Sequence, residues 1–439
     1  MRIWLAAVLL ALGDVAHARA VLLISIDGLR PADALAEGGH APNLRQLAHG
    51  GMWSDRVLGT MPSLTYPAHT TLVTGASPAR HGIGGNEAFD PLRRNQEGWL
   101  WYFSDIKADT LWTAARRRGL KTAAINWPVT VGAPIDWNLP QYWRSGTAED
   151  SKLIAALASP GLVGWLERKT GKTMPLSRDG SAAADGVRAE YAAALWQAHR
   201  PALLAVHLES LDHALHDFGP GSPEAAVTLA KLDRVVARLV STARRTDPAM
   251  VVIVVSDHGF LPVAKAVNLD AALRDAGLLV AGPEGEVTAW QAAVWPMSGS
   301  AAIVLRDPAD AETRARTRRV LDGLAADPAS GIAAILDPDA IGSAGGTGRA
   351  AFWVVFKPGY ITGGYASGGL LQEAWLKGSH GQLPQTPGME ALFIASGRGI
   401  GANRALGQVD MRAIAPLVAL TIGTRLRDAE LPGIAVPVR

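Results

Sequence analysis

The sequence predicts an α/β fold, a three-layer sandwich with a mostly parallel central sheet and a small inserted cap subdomain. Three observations support this prediction. Continuous apolar runs rich in branched residues recur along the chain, which is typical of strands covered on both faces. These runs alternate with segments of helical character, which indicates βαβ units. After residue 259 the pattern changes to short strand-like runs and glycine-rich turns, which indicates an insertion.

The predicted elements follow one another with clear boundary signals. Residues 20–26 form the first strand, and residues 42–49 form a short helix closed by two glycines. Thr65 precedes a proline and an apolar run, so it is expected at a helix N-cap, where unpaired backbone N–H groups form a phosphate pocket. Further helices and strands are predicted at residues 111–118, 121–126, 152–171, 182–199, 202–206, from 222 onward, 251–255, 269–279, 290–305, 351–356 and 391–395.

Composition narrows the class of protein. The chain has 439 residues, of which 48% are hydrophobic, and a formal net charge of +2, as expected for a large globular α/β protein. It shows no basic stripe, so we expect no nucleic-acid duplex as a partner. It contains no cysteine, which excludes disulfides, thiolate metal sites and a cysteine nucleophile.

The chain divides into three predicted regions. Residues 1–18 have the pattern of a signal peptide, residues 19–259 and 371–439 form the catalytic core, and residues 260–370 form the cap. The apolar part of the signal is too short for a stable membrane span. We therefore expect a secreted, periplasmic protein, with an uncleaved anchor as the alternative.

Acidic residues follow three of the predicted strands, at Asp27, Asp212 and Asp257. The carboxyl ends of parallel strands meet at one edge of a sheet, which is where open α/β sheets bind their ligands. Three carboxylates gathered there would repel one another unless cations are bound between them. The sequence therefore predicts a metal site at this edge.

Histidines occur at positions that suit the same site. His216 lies four residues after Asp212, one helical turn away, and His258 directly follows Asp257. His380 lies in a glycine-containing loop that can approach a distant site. Oxygen and imidazole ligands without sulfur suit Zn²⁺, with Mn²⁺ or another divalent ion as the alternative. The other histidines near these motifs are interpreted as packing or surface residues: His69, His81, His207 and His213.

These motifs together resemble those of the alkaline phosphatase superfamily, specifically its type I phosphodiesterase/nucleotide pyrophosphatase branch. The resemblance covers most of the chain after the signal, and as a set its motifs are specific. The similar segments are residues 23–30, 65–69, 71–75, 81–83, 120–122, 127–128, 219–220, 256–259 and 380–381, with Pro78, Asn86, Asp212 and His216.

The resemblance implies an alkaline phosphatase-like fold and a role for each site residue. One divalent ion would be held by Asp212, His216 and His380, and a second by Asp27, Asp257 and His258. Thr65, on the second ion, would be the nucleophile and would form a phosphothreonine intermediate. Asn86 would bind a phosphoryl oxygen together with the backbone N–H of Thr65. Tyr66, with Tyr142 or Trp143, is a candidate for the walls of an aromatic slot for a nucleobase.

The function implied is hydrolysis of phosphodiester or phosphoanhydride bonds in a small molecule, a nucleotide or nucleotide derivative. Three alternatives remain at this point. Two are enzymes of the same superfamily, a phosphomonoesterase and a phosphonate hydrolase. The third is a non-catalytic protein that binds nucleotides in a metal-dependent way.

Overall fold

The computed structural model describes residues 18–95, 98–176, 178–364 and 368–435. The predicted signal peptide lies outside these residues, apart from its last position. No helix in the described ranges combines the length and apolar character that crossing a membrane requires.

The strands form one large sheet and three small ones. They are, in chain order, β1 (Val21–Ile26), β2 (Met52–Leu58), β3 (Thr122–Ile125), β4 (Trp137–Leu139), β5 (Leu203–Leu208), β6 (Val251–Val255), β7 (Leu261–Val267), β8 (Leu279–Ala281), β9 (Val287–Trp290), β10 (Ala292–Pro296), β11 (Ser300–Leu305), β12 (Ile332–Leu336), β13 (Phe352–Phe356), β14 (Gly359–Thr362), β15 (Leu371–Glu373), β16 (Gly378–Ser379), β17 (Ala391–Gly397), β18 (Arg404–Ala405) and β19 (Gln408–Asp410).

The helices alternate with the strands through the first part of the chain and frame the sheets in the rest. They are α1 (Pro31–Leu35), α2 (Pro42–His49), α3 (Thr65–Thr74), α4 (Pro78–His81), α5 (Leu111–Arg117), α6 (Glu149–Leu157), α7 (Leu162–Thr170), α8 (Ala182–His199), α9 (Ser210–Phe218), α10 (Pro223–Thr246), α11 (Leu269–Asp275), α12 (Ala311–Ala326), α13 (Pro338–Ser343) and α14 (Ile414–Thr421), with 3₁₀ turns at Phe103–Asp105, Pro328–Ser330 and Met411–Ala413.

The central sheet is mostly parallel, as predicted. Its strand order is β18-β2-β17-β6-β1-β5-β3-β4, and β19 also pairs with β2. β1 lies in the middle and pairs in parallel with both β5 and β6. β17 runs antiparallel to β6 and β2. β2 was not predicted from the sequence, because the exposed Asp55 and Arg56 interrupt its apolar pattern.

Helices cover both faces of this sheet, which makes the predicted three-layer sandwich. Along β1, Leu22, Ile24 and Ile26 belong to one apolar core, while Val21 and Leu23 belong to the other. The first core includes buried residues of α8 and α10, and the second includes residues of α3, α5 and α14. β1 is therefore buried from both sides, as its continuous apolar sequence indicates.

The chain leaves the central sheet after β6 and returns to it at β17. In between, β10, β11, β13 and β12 form an antiparallel sheet. β7 forms a mixed sheet, in which it pairs in parallel with β14 and antiparallel with β15 and β16. β15 and β16 follow residue 370, the predicted end of the cap, and pair with β7, whose backbone groups would otherwise be left unpaired on that side. The cap boundaries stay a prediction.

Two predicted helices are shorter than expected. The segment 152–171 forms two helices, α6 and α7, because Pro160 cannot continue a helix and Gly161 adopts a positive φ of 74°. The segment 269–279 is helical only as far as Asp275, and Leu279 already begins β8. In both cases an apolar pattern continues past the point where the backbone changes direction.

Candidate active site

Two of the predicted carboxylates lie at the carboxyl ends of neighbouring parallel strands. Asp27 directly follows β1, and Asp257 comes two residues after the end of β6. The Gly28 N–H donates to Asp257 Oδ1 over 3.1 Å. Gly28 has a φ of +68°, and a Cβ there would lie 3.0 Å from the Phe260 ring, so glycine is needed at this position. The turn after β1 therefore holds the two carboxylates side by side.

Asp212 reaches the site from a helix, not from a strand end as predicted. β5 ends at Leu208, and Asp212 lies in the first turn of α9. The strand and helix follow each other almost directly, so the helix start is not marked by a separate loop. His216 lies one turn later, with Nε2 3.5 Å from Asp212 Oδ1.

Three histidines direct their Nε2 atoms toward these carboxylates. In each of His216, His258 and His380, the Nδ1–H group donates to a backbone carbonyl. The accepting oxygens are those of Gly378, Gly259 and Ser63, at 3.0, 3.1 and 2.9 Å. Burial lowers the pKa of His258 to about 4. Burial and the neighbouring His258 ring also hold the pKa of His380 well below its usual range. At neutral pH the Nε2 lone pairs of His258 and His380 can therefore bind a metal.

The ligand atoms gather in two overlapping groups, in each of which they lie within 4.8 Å of one another: Asp27, Asp257 and His258 in one, and Asp212, His258 and His380 in the other. His258 belongs to both groups. His216 is outside both, but it lies beside two members of the second: its Nε2 is near Asp212, and its ring centroid is 5.2 Å from that of His380. The predicted assignment of His216 and His258 to separate ions stays a prediction.

The residues present fit divalent cations. One oxygen of each carboxylate is buried and has no hydrogen-bond partner in the described part of the chain: Asp27 Oδ1, Asp212 Oδ1 and Asp257 Oδ2. Burial and the nearby charges of Asp257 and Asp212 raise the pKa of Asp27 well above its ordinary 3.8. Buried, unpaired carboxylate oxygens are costly in an ionised state, and bound cations remove that cost. Carboxylate oxygens with neutral imidazoles are ligands that Zn²⁺ accepts.

We expect the metal-free protein to lose stability as the pH rises above 3.8, the ordinary value for aspartate. Asp27 keeps its proton to a higher pH in the folded state than in the unfolded chain, so the folded state binds more protons in this window. The free energy of unfolding therefore falls with rising pH. Urea unfolding in a chelator at several pH values measures this fall.

Asp27→Asn, which cannot ionise, is the matched variant for that experiment and should show a smaller fall. Saturating Zn²⁺ should also reduce the fall in the wild type, because the cation replaces the proton on the carboxylates. The same pH dependence in both metal-free proteins would contradict the expectation.

Thr65 lies beside the metal-ligating groups at the start of α3. It is the first residue of the helix and Leu64 is the N-cap, so the predicted N-cap position is off by one. Pro67 stands at the third helical position, where an N–H group would also lack a helical partner. Thr65 Oγ1 is 3.4 Å from His258 Nε2. In the described ranges no acceptor lies on the Thr65 N–H, which is available to an anion.

Asn86 is anchored at the same helix end. The Tyr66 N–H donates to Asn86 Oδ1 over 2.9 Å, so the amide NH₂ of Asn86 is available to a ligand. The cap contacts this segment, because Trp295 Nε1–H donates to the carbonyl oxygen of Glu87 over 3.1 Å. Leu64 packs in the same apolar cluster as Trp295. The cap thus borders both sides of the helix end that carries Thr65.

The two predicted walls of the aromatic slot are buried. Tyr66 is fully buried and Tyr142 is 5% exposed. Their rings do not contact each other among the described ring pairs; Trp99, Trp143 and Trp101 link them in a chain with ring centroids 4.7 to 6.0 Å apart. At the position of the predicted slot the structure has a packed aromatic cluster, because aromatic side chains bury large apolar areas. Base binding by Tyr66 and Tyr142 stays a prediction.

Two histidines that were predicted to be packing or surface residues lie directly against the carboxylates. His207 Nε2 is 3.0 Å from Asp27 Oδ2. His69 Nδ1 is 2.8 Å from the carbonyl oxygen of Thr65 and 3.5 Å from Asp257 Oδ2. In the sequence, only its position just after a predicted strand could have indicated that His207 belongs to the site. β5 extends two residues beyond its predicted end, and this brings the His207 ring to the sheet edge.

Comparison with known proteins identifies the family of the chain. The family model for type I phosphodiesterase/nucleotide pyrophosphatase matches residues 21–383. The chain belongs to this family. The matched range includes the positions of every predicted metal ligand, from Asp27 to His380, and the role of each of these residues stays a prediction.

Relatives of the phosphodiesterase/nucleotide pyrophosphatase family show how far the similarity reaches. An uncharacterized pyrophosphatase/phosphodiesterase of Schizosaccharomyces pombe is 28% identical over 257 residues, which are 56% of this chain and 45% of that protein. Ectonucleotide pyrophosphatase/phosphodiesterase family member 1 of Mus musculus is 27% identical over 250 residues, 54% of this chain and 24% of that protein. The matches thus span less than half the length of these relatives.

Solved structures of the same family share the fold. Murine ectonucleotide pyrophosphatase/phosphodiesterase 5, in an inactive form in complex with AMP, superposes with a TM-score of 0.66 at 19% identity. The alignment covers 95% of this chain and 97% of that one. The predicted alkaline phosphatase-like fold is confirmed.

Proposed function

We propose that this protein is a metal-dependent phosphodiesterase/nucleotide pyrophosphatase with two divalent ions, most suitably Zn²⁺, and Thr65 as its nucleophile. The observation that supports this most strongly is the convergence of three unpaired carboxylate oxygens and the histidine Nε2 atoms beside one hydroxyl at a helix N-terminus. A metal site without a nearby nucleophile would not need that hydroxyl. A phosphate-binding helix end without catalysis would not need the ligands.

In the proposed reaction the Thr65 hydroxyl loses its proton and Oγ1 forms a bond to phosphorus as the bond to the leaving oxygen breaks; the leaving group takes up a proton, and the product is a phosphothreonine. Water then breaks the Oγ1–phosphorus bond, adding its hydroxyl to phosphorus and a proton to Oγ1, so two inversions give net retention at phosphorus. The Thr65 N–H and the Asn86 amide hold nonbridging oxygens, and the end of α3 places its partial positive charge toward them. Divalent ions, when bound, stabilise the charge on the attacking and leaving oxygens.

The arginines in the surrounding segments are already paired with carboxylates, and this favours a diester substrate over a monoester. The Arg30 guanidinium makes two hydrogen bonds to the Asp33 carboxylate. Arg188 is almost fully buried and pairs with Asp185 at 2.7 Å and with Glu209 at 2.5 Å. Both side chains are engaged, so neither is placed to clamp the extra charge of a phosphate dianion. Asn86, a neutral donor, suits the single charge of a diester.

We further infer that the substrate is a nucleotide or nucleotide derivative. Support comes from the related murine structure with bound AMP and from the aromatic cluster next to Asn86. Trp99 is the half-buried member of that cluster and contacts Tyr66 with ring centroids 5.1 Å apart. Its remaining exposed face is a surface on which a base can stack.

Hydrolysis of bis-p-nitrophenyl phosphate and p-nitrophenyl phosphate by the zinc-loaded protein tests the proposed activity. We expect a higher kcat/KM for the diester, because Asn86 contributes a neutral donor at the phosphoryl site. A preference for the monoester would favour a phosphomonoesterase. Zinc binding without turnover of either compound, or of a nucleotide diester, would favour a binding protein.

We also propose that the protein is exported to the periplasm after cleavage near residue 18. The support is the sequence pattern of its first residues. N-terminal sequencing of the protein recovered from the periplasmic fraction tests this. A retained first segment in the membrane fraction would indicate the anchored alternative.

A further inference from the structure

We propose that His207 is a positioning residue for the site: it orients the Asp27 carboxylate for metal binding without being a metal ligand itself. This inference rests on the proposed function only in taking Asp27 as a ligand. It assigns a role to a side chain that the sequence motifs of the site do not include.

The contacts at Asp27 divide its two oxygens. Oδ2 lies 3.0 Å from His207 Nε2, whereas Oδ1 has no hydrogen-bond partner among the described residues and lies 3.4 Å from His258 Nε2. As a metal ligand, Asp27 is an ionised carboxylate, which only accepts hydrogen bonds, so in the metal-bound protein the Nε2–H of His207 is the donor. The terminal torsion of aspartate has a broad energy profile. A donor on Oδ2 therefore decides which oxygen faces the metal site.

His207 is itself held in place. It is fully buried on β5, which lies between β1 and β3 in the central sheet. Its Nδ1 lies 3.2 Å from the carbonyl oxygen of Asn126. Asn126 follows β3 with a φ of 56°, a left-handed conformation that asparagine tolerates better than most residues, and its N–H donates to Leu139 over 2.7 Å. The end of β3 next to β5 therefore packs against the Nδ1 edge of the ring.

A second buried ring restricts His207 from the side. The His69 ring packs against it edge to face, with centroids 4.4 Å apart. His69 also bonds to the carbonyl oxygen of Thr65 through Nδ1, at 2.8 Å. The His207 ring is thus confined between β1, the end of β3 and the first turn of α3. It has little freedom to leave Asp27.

Two consequences follow for the metal site. Asp27 offers one oxygen to the site, because Oδ2 is occupied by His207. The carboxylate also keeps this orientation before a metal binds, which reduces the ordering needed on binding. Outer partners of metal ligands typically contribute about 10- to 100-fold in metal affinity or activity. We expect His207 to contribute within that range.

Two substitutions of His207 distinguish the loss of the Nε2–H donor from the loss of the imidazole ring. Gln can place an amide N–H near the position of the histidine Nε2, whereas Asn reaches only the position of Nδ1. His207→Asn should lower Zn²⁺ affinity by about 10- to 100-fold, and His207→Gln should stay much closer to the wild type. Competition with a chromophoric chelator measures Zn²⁺ affinity directly and needs no substrate.

His81→Gln is the matched control, because His81 is also fully buried and bonds to Thr71 at 3.1 Å, outside the site. It should change stability in urea without changing Zn²⁺ affinity. Wild-type affinity in His207→Asn, or an equal loss in both His207 variants, would overturn the proposal. A wild-type protein that binds no divalent ion would also overturn it.

A measurement on the unsubstituted protein covers the case in which His207→Asn fails to fold. Imidazole ¹⁵N NMR of the zinc-loaded wild type should show a protected Nε2–H signal that disappears in His207→Gln. Its absence would overturn the proposal. Failure of the proposed function is distinct from both results, since it would appear as normal zinc binding and an intact His207 signal without phosphodiester hydrolysis.

Discussion

Thr65→Ala is expected to keep its metal ions and to lose turnover of a diester by about three orders of magnitude or more. The substitution removes Oγ1, the only atom of this residue that can form the bond to phosphorus. The carboxylates and imidazoles remain, as does the backbone of α3. Initial rates with bis-p-nitrophenyl phosphate and metal content after dialysis are measured on the same samples.

Thr70→Ala is the matched control for this loss. Thr70 is buried on the same helix, and its hydroxyl donates to the carbonyl oxygen of Tyr66 over 2.8 Å. Its removal should cost at most about 1 kcal/mol of stability and leave turnover near the wild-type level, because that carbonyl also accepts from the helix backbone. A Thr65→Ala enzyme with wild-type rates would reject the covalent route, whereas a loss of metal would assign Thr65 a structural role as a ligand.

The parts of the fold that follow from local pattern were predictable. Apolar runs marked β1, β5 and β6, and Asp27 and Asp257 follow two of these runs closely enough for their shared sheet edge to be expected. Asp212 was placed on the wrong type of element, because a strand that passes almost directly into a helix leaves no boundary signal. β2 was missed because packing against neighbouring strands, rather than its own alternation, determines it.

The parts of the site that depend on tertiary contact could not be predicted from spacing. His380 comes from beyond the cap, and only the family resemblance placed it near Asp212. The contact of His207 with Asp27 depends on the pairing of β1 with β5, in which His207 lies opposite Ser25. The burial of Tyr66 depends on Trp99, which is distant in sequence. Local periodicity carries no information about such pairings.

Asp257→Asn is expected to abolish binding of the ion assigned to Asp27, Asp257 and His258, without destabilising the metal-free fold. Asp257 Oδ1 accepts from the N–H groups of Gly28 and His258, at 3.1 and 3.0 Å, and an asparagine oxygen can accept both. In the variant the amide NH₂ group therefore replaces Oδ2, the buried oxygen that has no hydrogen-bond partner among the described residues. An amide NH₂ cannot bind a cation. It also removes a negative charge that raises the pKa of Asp27, so the metal-free variant should be at least as stable as the metal-free wild type.

Urea unfolding with and without Zn²⁺ separates these two effects. At a free Zn²⁺ concentration 100 times the Kd of a site, each bound ion should stabilise the wild type by about 2.7 kcal/mol, and Asp257→Asn should lose the contribution of one of the two ions. Asp233→Asn is the control, because this buried carboxylate accepts from Asn43 and Leu44 away from the site, and an amide there would oppose a donor with a donor. We expect it to be less stable by about 1 to 3 kcal/mol and still to respond to Zn²⁺. This opposite pattern arises because Asp233 is paired within the fold, whereas the unpaired oxygen of Asp257 is retained for a cation. Equal stabilisation of Asp257→Asn and wild type by Zn²⁺ would exclude Asp257 as a ligand.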